Sequence, residues 1–490
     1  MIKPSFKDFE KAASKANIIP VYGEIPVDMD TPLSLYLKMG ESDYSFLFES
    51  LEGGEKWGRY SFMGFDPFLV AGSKGNTFFV KGIDGEKVEE VDDPIESLKS
   101  LMSSFVPAKI EGLPRFYGGA VGYLGYDMVR FMERLPSILE DTAGFHDSLF
   151  MFPKLLLIFD NIKQSLQIIY CAYKDEKSSL KELYDKAVSS IKAVQEKISK
   201  GIDYPAPPNA INKTKLEPEV SKDRFKSMVH KAKEYIKAGD IIQVVLSQRF
   251  SGINHIPPFE IYRALRRINP SPYLYYLRLG DEVLIGSSPE ILVRLTDSKI
   301  ELRPIAGTRP RGKTPEQDLA LEKDLLNDPK ERAEHLMLVD LGRNDVGRVA
   351  EIGSVEVEDL MVIERYSHVM HIVSGVTGKL SKNKDMFDLL RACFPAGTVS
   401  GAPKIRAMEI IEELEHAQRG PYAGAVGYFG FSGNMDFAIT IRTLCQKDNK
   451  LYLQAGAGIV ADSDPVKEWE ETLNKGRALM RAIDLAEGGE

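Results

Sequence analysis

The chain is poor in cysteine and histidine and has no long apolar run, and each shortage closes off a class of protein. Its three cysteines, Cys171, Cys393 and Cys445, lie far apart without CxxC spacing. An odd, scattered set of this kind suits neither a disulfide framework nor a thiolate zinc site, and it fits a reducing cytoplasm. No uninterrupted apolar stretch of roughly 18 residues occurs, so no membrane-spanning helix is expected. The first ten residues, Met1-Ile-Lys-Pro-Ser-Phe-Lys-Asp-Phe-Glu10, carry acidic side chains and no apolar signal core, which agrees with a cytoplasmic location. A phosphate loop of the form GxxxxGK[ST] is absent. A net charge of −9 supplies no basic footprint for nucleic acid.

What is present is enough chain for two domains. The 490 residues exceed what one small core needs, and 43% hydrophobic content is ordinary for a globular protein. A proline-rich stretch at 201–220, with few apolar clusters, reads as a linker between an N-terminal domain (1–200) and a C-terminal domain (221–490). Before it, apolar residues at helical spacing run from Leu180 to Ile198, and Gly201 is a natural stop. After it, Ser221 can cap a helix running to Gly239. Alternating or β-branched segments predict strands at 241–250, 273–279, 282–286, 300–305, 438–444 and 451–455. Helical patterns fall at 258–268, 315–327, 329–341, 385–393, 403–415 and 465–485. Strands and helices mix without strict alternation, which predicts an α+β fold with large antiparallel sheets flanked by helices. The segments 117–126 (YGGAVGYLGY) and 422–431 (YAGAVGYFGF) echo each other. A shared glycine-rich strand type and a duplicated sheet topology both account for the echo.

Two Glu-x-x-Glu pairs, Glu331/Glu334 and Glu468/Glu471, carry the strongest chemical signal. On a helix, i and i+3 share a face, so opposed helices would gather four carboxylates that call for a hard divalent cation. A lone pair of this kind usually lies on solvated surface, and Glu331 sits in a first helical turn where the helix dipole favours it without a metal. Neighbouring segments raise the interest. Arg303-Pro-Ile-Ala-Gly-Thr-Arg-Pro-Arg-Gly312 offers Gly307 for close backbone approach, the Thr308 hydroxyl, and Arg309 and Arg311 to neutralise an anion or coat the turn. His368 and His371 supply a possible proton shuttle. Phe394-Pro-Ala-Gly-Thr-Val-Ser-Gly-Ala-Pro-Lys404 is a glycine-rich turn into a helix, with Thr398 and Ser400 hydroxyls suited to an anion. The GxGxxA run Gly456–Ala461 imitates a dinucleotide turn, but no βαβ unit follows it. Gly456 and Gly458 therefore read as backbone donors to an anionic group. Lys475 is available as an i, i+4 partner of Glu471.

Taken together and in order, these segments resemble the chorismate-utilising enzymes, and within them the anthranilate synthase component I family. The resemblance covers nearly the whole chain and is densest over 221–490, in Pro-Ile-Ala-Gly-Thr-Arg-Pro-Arg-Gly, Ala-Glu-His-Leu-Met-Leu-Val-Asp-Leu, Gly-Thr-Val-Ser-Gly-Ala-Pro-Lys, Ala-Gly-Ala-Gly-Ile-Val and Glu-Glu-Thr-x-Asn-Lys. It implies a Mg²⁺-dependent lyase that converts chorismate and ammonia to anthranilate and pyruvate in tryptophan biosynthesis. By the same resemblance Glu334 and Glu471 bind Mg²⁺, and Glu331 and Glu468 line that site as acid–base partners. Gly307, Thr308, Tyr422, Arg442, Gly456, Ala457 and Gly458 match chorismate-binding positions. His371 and Thr398 match residues at the reacting ring.

Two positions separate siblings of this family. Aminodeoxychorismate synthases carry a lysine where Ala306 stands, and isochorismate and salicylate synthases carry one where Gln243 stands. Without either amine, the site looks built to bring ammonia to C2 of the ring. In-family aminodeoxychorismate synthesis and a nucleotide-dependent oxidoreductase using Gly456–Ala461 are the alternatives. In the N-terminal half, Phe46-Leu-Phe-Glu-Ser50 and Ser271-Pro-Tyr-Leu274 resemble a tryptophan feedback site, which implies roles for Glu49, Ser50, Pro272, Tyr273 and Leu274. The Gly-x-Cys-x-Gly turn of a glutamine amidotransferase is missing, so the resemblance implies a separate glutaminase subunit, component II of a heterotetramer.

Overall fold

The computed structural model describes residues 2–50, 58–82, 85–175, 179–202, 212–366 and 369–489. Residues 203–211 of the expected linker, and Ser367 and His368, lie outside this set. Among the described residues every strand-to-strand ladder is antiparallel, and the strands form one hydrogen-bonded network. The α+β architecture expected from the mixed patterns is the one observed.

The network branches at the strand Ser148–Asp160, which is buried along nearly its whole length because it is covered on both faces. One arm continues through Tyr60–Lys74, Tyr44–Glu49, Tyr273–Leu279, Glu282–Ser288, Thr443–Lys447, Lys450–Ile459 and Gln243–Ile253. The other runs through Gly119–Leu124, Ala425–Gly430, Met435–Ile439, Ile291–Thr296, Lys299–Leu302 and Val369–Lys379, with Ile305–Pro310 and Glu356–Arg365 also paired to the last. Strands from either side of 201–220 therefore pair directly, twice. One of these pairings joins the two echoing segments: Gly119–Leu124 lies antiparallel to Ala425–Gly430, with Gly122 opposite Gly427. At this seam a side chain on Gly119 would strike the Phe429 carbonyl, which explains why small residues recur there.

Two short links carry the chain directly from one arm to the other. Residues 289–290 link Glu282–Ser288 to Ile291–Thr296, and residues 440–442 link Met435–Ile439 to Thr443–Lys447. The crossings are stitched to each other: Ile439 N donates to Glu290 O (3.0 Å), Ser287 N to Arg442 O (3.0 Å), and Ser288 Oγ to Ile439 O (2.7 Å). The sequence pattern predicts one strand over 438–444; the structure breaks it here, with Arg442 at φ +52°. Likewise the predicted strand 300–305 is divided between Lys299–Leu302 and Ile305–Pro310.

The helices follow their patterns closely. Pro329–Gly347 is capped by Asp328, whose side chain accepts from Lys330 and Glu331 N–H, and it packs on Ile305–Pro310 and Val369–Lys379. Pro465–Ala486 is capped in the same way by Asp464 and packs on Lys450–Ile459 and Pro258–Ile268. Ser221 caps the helix that ends at Gly239, in the left-handed conformation expected of a stop. The preceding helix ends at Ser199 rather than at Gly201. Pro403 is the residue before the helix Lys404–Leu414, one position earlier than the pattern suggests.

Candidate active site

The seam between the two arms gathers the residues singled out above. Gly456, Ala457 and Gly458 lie within the strand Lys450–Ile459, opposite Ser247, Leu246 and Val245, so both glycines of the GxGxxA run are in strand and the chain turns only at Ala461. That removes the geometric basis for a dinucleotide cradle. Gly456 is forced by crowding: a Cβ there would lie 2.7 Å from Tyr422 Oη and 3.1 Å from Leu246 O. At Gly458 the same atom would meet Gln243 Nε2 at 2.6 Å. Gln243 is itself buried and lies close enough to the Glu334 carboxyl to lower its pKa in part, which places a neutral amide inside the site.

On the opposite wall, Gly307 sits at a bulge in Ile305–Pro310 at φ +65°, a conformation favouring glycine, with the Glu331 carboxylate 3.2 Å from where a Cβ would stand. His371 Nδ1 lies 2.8 Å from Gly307 O and 3.1 Å from Thr308 Oγ1. A carbonyl only accepts, so Nδ1 carries the proton and Nε2 is the basic nitrogen. Burial depresses the His371 pKa, and nearby Arg442 adds to this, which keeps the ring neutral near pH 7.

The four glutamates divide unevenly. Glu331 is ion-paired to Arg309 (3.3 Å) and Glu471 to Lys475 (2.7 Å). Burial raises the pKa of Glu334, and the charge of Glu331 adds to it. Burial also raises Glu468, with Glu471 adding like charge while Ser463 offsets part of the shift. The two helices communicate through Lys330 and Lys475, whose charges act on both Glu334 and Glu468. Among the described residues no three His, Cys, Asp or Glu side chains converge closely enough to cage a metal ion. The donor set nevertheless suits Mg²⁺, which takes hard oxygens and commonly retains water. Glu334 and Glu468, raised by burial and like charge, are the groups a cation would relieve. Arg309 and Arg311 are absorbed by Asp324, Asp328 and Asp318, so they coat the turn.

One residue at the centre, Glu290, is missing from the sequence reading, and a second, Lys475, has a larger part than that reading gives it. Glu290, at the first link between arms, is buried, and its pKa is pushed up to about 8 by burial, with the Thr398 hydroxyl, the charge of Lys475 and the Ile305 backbone offsetting part of the shift. Thr398 Oγ1 is buried beside this carboxyl and offsets part of its shift, through a contact short of good hydrogen-bond geometry. Lys475 is more than a helix-surface partner: Nζ donates to Gly456 O at 2.8 Å while reaching Glu471. Arg442 completes the wall through Nη1 to Lys475 O at 2.8 Å, and burial lowers its pKa. A charged residue between apolar strands (Val283-Leu-Ile-Gly-Ser-Ser-Pro-Glu-Ile-Leu-Val293) is the signal that could have disclosed Glu290.

A second cleft is lined by Glu49, Ser50, Pro272, Tyr273 and Leu274 together with Phe62, Tyr428, Arg115, Arg294 and Asp436. The five residues expected to share a site are thus brought together, because Tyr44–Glu49 pairs with Tyr273–Leu279 and sets Leu274 opposite Glu49. The Glu49 carboxylate is occupied by Arg266 (2.9 and 3.0 Å) and Tyr262 (2.6 Å).

Residues 52–481 match the family model for chorismate binding enzymes, and the chain belongs to that family. Over 99% of both sequences it is 50% identical to anthranilate synthase component 1 of Acetivibrio thermocellus, and it is 49% identical to the protein of that name in Aquifex aeolicus, over 99% of this chain and 98% of the relative. The crystal structure of anthranilate synthase component I from Streptococcus pneumoniae superposes with a TM-score of 0.78 at 38% identity, covering 93% of this chain and 99% of that one. The menaquinone-specific isochorismate synthase MenF of Escherichia coli shares the fold, with a TM-score of 0.72 at 20% identity and 98% coverage of each chain.

Proposed function

We propose that the chain is the synthase component of anthranilate synthase, converting chorismate and ammonia to anthranilate, pyruvate and water. The observation that carries this reading is a buried carboxyl, Glu290, whose pKa burial pushes up to about 8, in a site whose buried positions Gln243 and Ala306 are neutral where a lysine would direct a different chemistry. Relatives near 50% identity that bear the anthranilate synthase name support it.

In this reading the chorismate carboxylates face Arg442, Lys475 and the backbone around Gly456–Gly458. Mg²⁺, held by Glu334 and Glu471 with Glu331 and Glu468 beside them, would supply charge stabilisation of the ring carboxylate. Glu290 donates its proton to the 4-hydroxyl, which leaves as water while ammonia forms the bond at C2. This assigns the acid role to Glu290 instead of Glu331, whose carboxylate is held by Arg309. His371 Nε2 then takes the C2 proton as the C3–O bond to the enolpyruvyl group breaks and the ring becomes aromatic, and protonation of the released enolpyruvate at its methylene carbon gives pyruvate. Thr398 Oγ1 orients the reacting ring.

The three cysteines are buried, and none offers a glutaminase nucleophile. A separate glutamine amidotransferase subunit therefore supplies ammonia in this reading. Tryptophan binds the second cleft as an inhibitor, with its indole against Phe62 and Leu274. No helix is long and apolar enough to cross a membrane, and a cytoplasmic location is proposed. Purified chain given chorismate, Mg²⁺ and ammonium is expected to form anthranilate, and given glutamine in place of ammonium to form none. Folded protein that yields aminodeoxychorismate, or no product, overturns the reading.

A further inference from the structure

One buried ion pair outside the catalytic set touches three walls of the site. Glu415 and Arg419 are each about 1% exposed and are joined by two bonds, Arg419 Nε to Oε2 (3.0 Å) and Nη2 to Oε1 (2.6 Å). A pair this dry recovers little net stability over apolar packing, so its geometry is the informative part. Arg419 Nη1 donates to Val399 O at 2.7 Å, and Nη2 donates to Val245 O at 2.8 Å. Its guanidinium also lies against the Tyr422 ring, with Cζ 5.6 Å from the ring centre. Val399 follows Thr398. Val245 pairs with Gly458, and Tyr422 Oη crowds Gly456.

The other half of the pair is equally committed. Glu415 Oε1 accepts from Ser247 N (2.8 Å) and Ser247 Oγ (2.7 Å), on the strand facing Gly456. From the N-terminal half, the Tyr126 ring covers the guanidinium at 4.6 Å, and Tyr126 N donates to Gly420 O at 2.7 Å. Asp127 Oδ2 accepts from Gly420 N at 3.1 Å. A planar fork with several fixed donors can tie one carboxylate and two carbonyls at once, which an ammonium on a flexible stem cannot.

We propose that Arg419, held by Glu415 and roofed by Tyr126, is a positioning residue that fixes the spacing between the Thr398 turn, the Gly456–Gly458 strand and Tyr422, and so sets affinity for chorismate. The role rests on the chorismate reading given above. Its effect falls on the chorismate-contacting walls and leaves the approach of ammonia untouched.

The test is steady-state kinetics of Arg419→Lys, Arg419→Met and Glu415→Gln with chorismate and ammonium varied in turn, alongside the unaltered chain. Anthranilate from the unaltered chain secures the underlying reading, and its absence defeats that reading before the variants are compared. The expected result is a KM for chorismate raised at least about tenfold in Arg419→Met and less in Arg419→Lys, with the KM for ammonium unchanged. Tryptophan binding to the second cleft should be retained. A purely structural role predicts a loss confined to kcat, in step with the folded fraction, with both KM values unchanged. That outcome, or full activity in Arg419→Met, overturns the proposal. If Arg419→Met fails to fold, Tyr126→Leu, which removes the roof and spares the ion pair, is expected to raise the same KM, and an unchanged value there overturns it as well.

Discussion

The two clefts are built from strands of one hydrogen-bonded network, yet their polar groups are arranged in opposite ways. In the second cleft Asp436 accepts from Tyr273 (2.9 Å), Arg294 (2.8 Å) and Arg115 (2.9 Å), and Glu49 is saturated by Arg266 and Tyr262. Its charges are largely paired inside the protein, with Arg115 Nε left over, so what it offers a ligand is mostly apolar surface that selects by shape. At the seam between the arms, Thr398 has no well-formed hydrogen bond, burial pushes the Glu290 pKa up to about 8, and burial with like charge raises Glu334 and Glu468. A site left incomplete in this way gains most from a ligand that supplies the missing partners. One region is finished before binding; the other is finished by its substrate.

The sharpest way to break this contrast is Glu290→Gln. Loss of the proton donor is expected to lower kcat by about 10²- to 10⁴-fold, with tryptophan binding by calorimetry unchanged. Activity within tenfold of the parent would remove Glu290 from the acid role. A pH series adds the sign. The raised folded-state pKa means that the native chain keeps a proton which the unfolded chain releases. Stability should therefore fall as pH rises from about 4.5 to about 8, and kcat should fall as pH passes about 8. Denaturant melts of Glu290→Gln should show a flatter slope over the same range.

Next in size is His371→Asn. Removing the basic Nε2 should slow pyruvate elimination by about 10²-fold and let the C2-amino intermediate accumulate, which mass spectrometry of quenched reactions detects. A proportionate fall in both products without accumulation contradicts the assignment. Gly456→Ala is a smaller perturbation. Its methyl meets Tyr422 Oη and Leu246 O, so a KM for chorismate raised about tenfold is expected with tryptophan binding intact. Smallest for catalysis is Ser50→Phe, which fills the second cleft. Turnover should stay within about twofold while tryptophan inhibition disappears in an activity assay; inhibition that persists would move the inhibitor elsewhere.

What could be read from the chain differs between the same regions. Helix ends were legible because Asp328, Asp464, Ser221 and Gly239 act through local chemistry. The second cleft was legible through Phe46–Ser50 and Ser271–Leu274, contiguous segments of adjoining strands. The seam was harder, since it depends on where strands break. Arg442 at positive φ and the crossing at 289–290 are tertiary outcomes with no strong local mark, and they hid Glu290 and enlarged the part played by Lys475. The echo at 117–126 and 422–431 was visible, but only pairing shows that its two copies bind each other.

The most direct test of the account follows nitrogen. Chorismate turned over with ¹⁵N-ammonium and Mg²⁺ should give anthranilate bearing the label on the carbon beside the ring carboxyl, with pyruvate in equal amount and no accumulating isochorismate. Label at C4, an oxygen at C2, or folded protein that leaves chorismate unconsumed would contradict it.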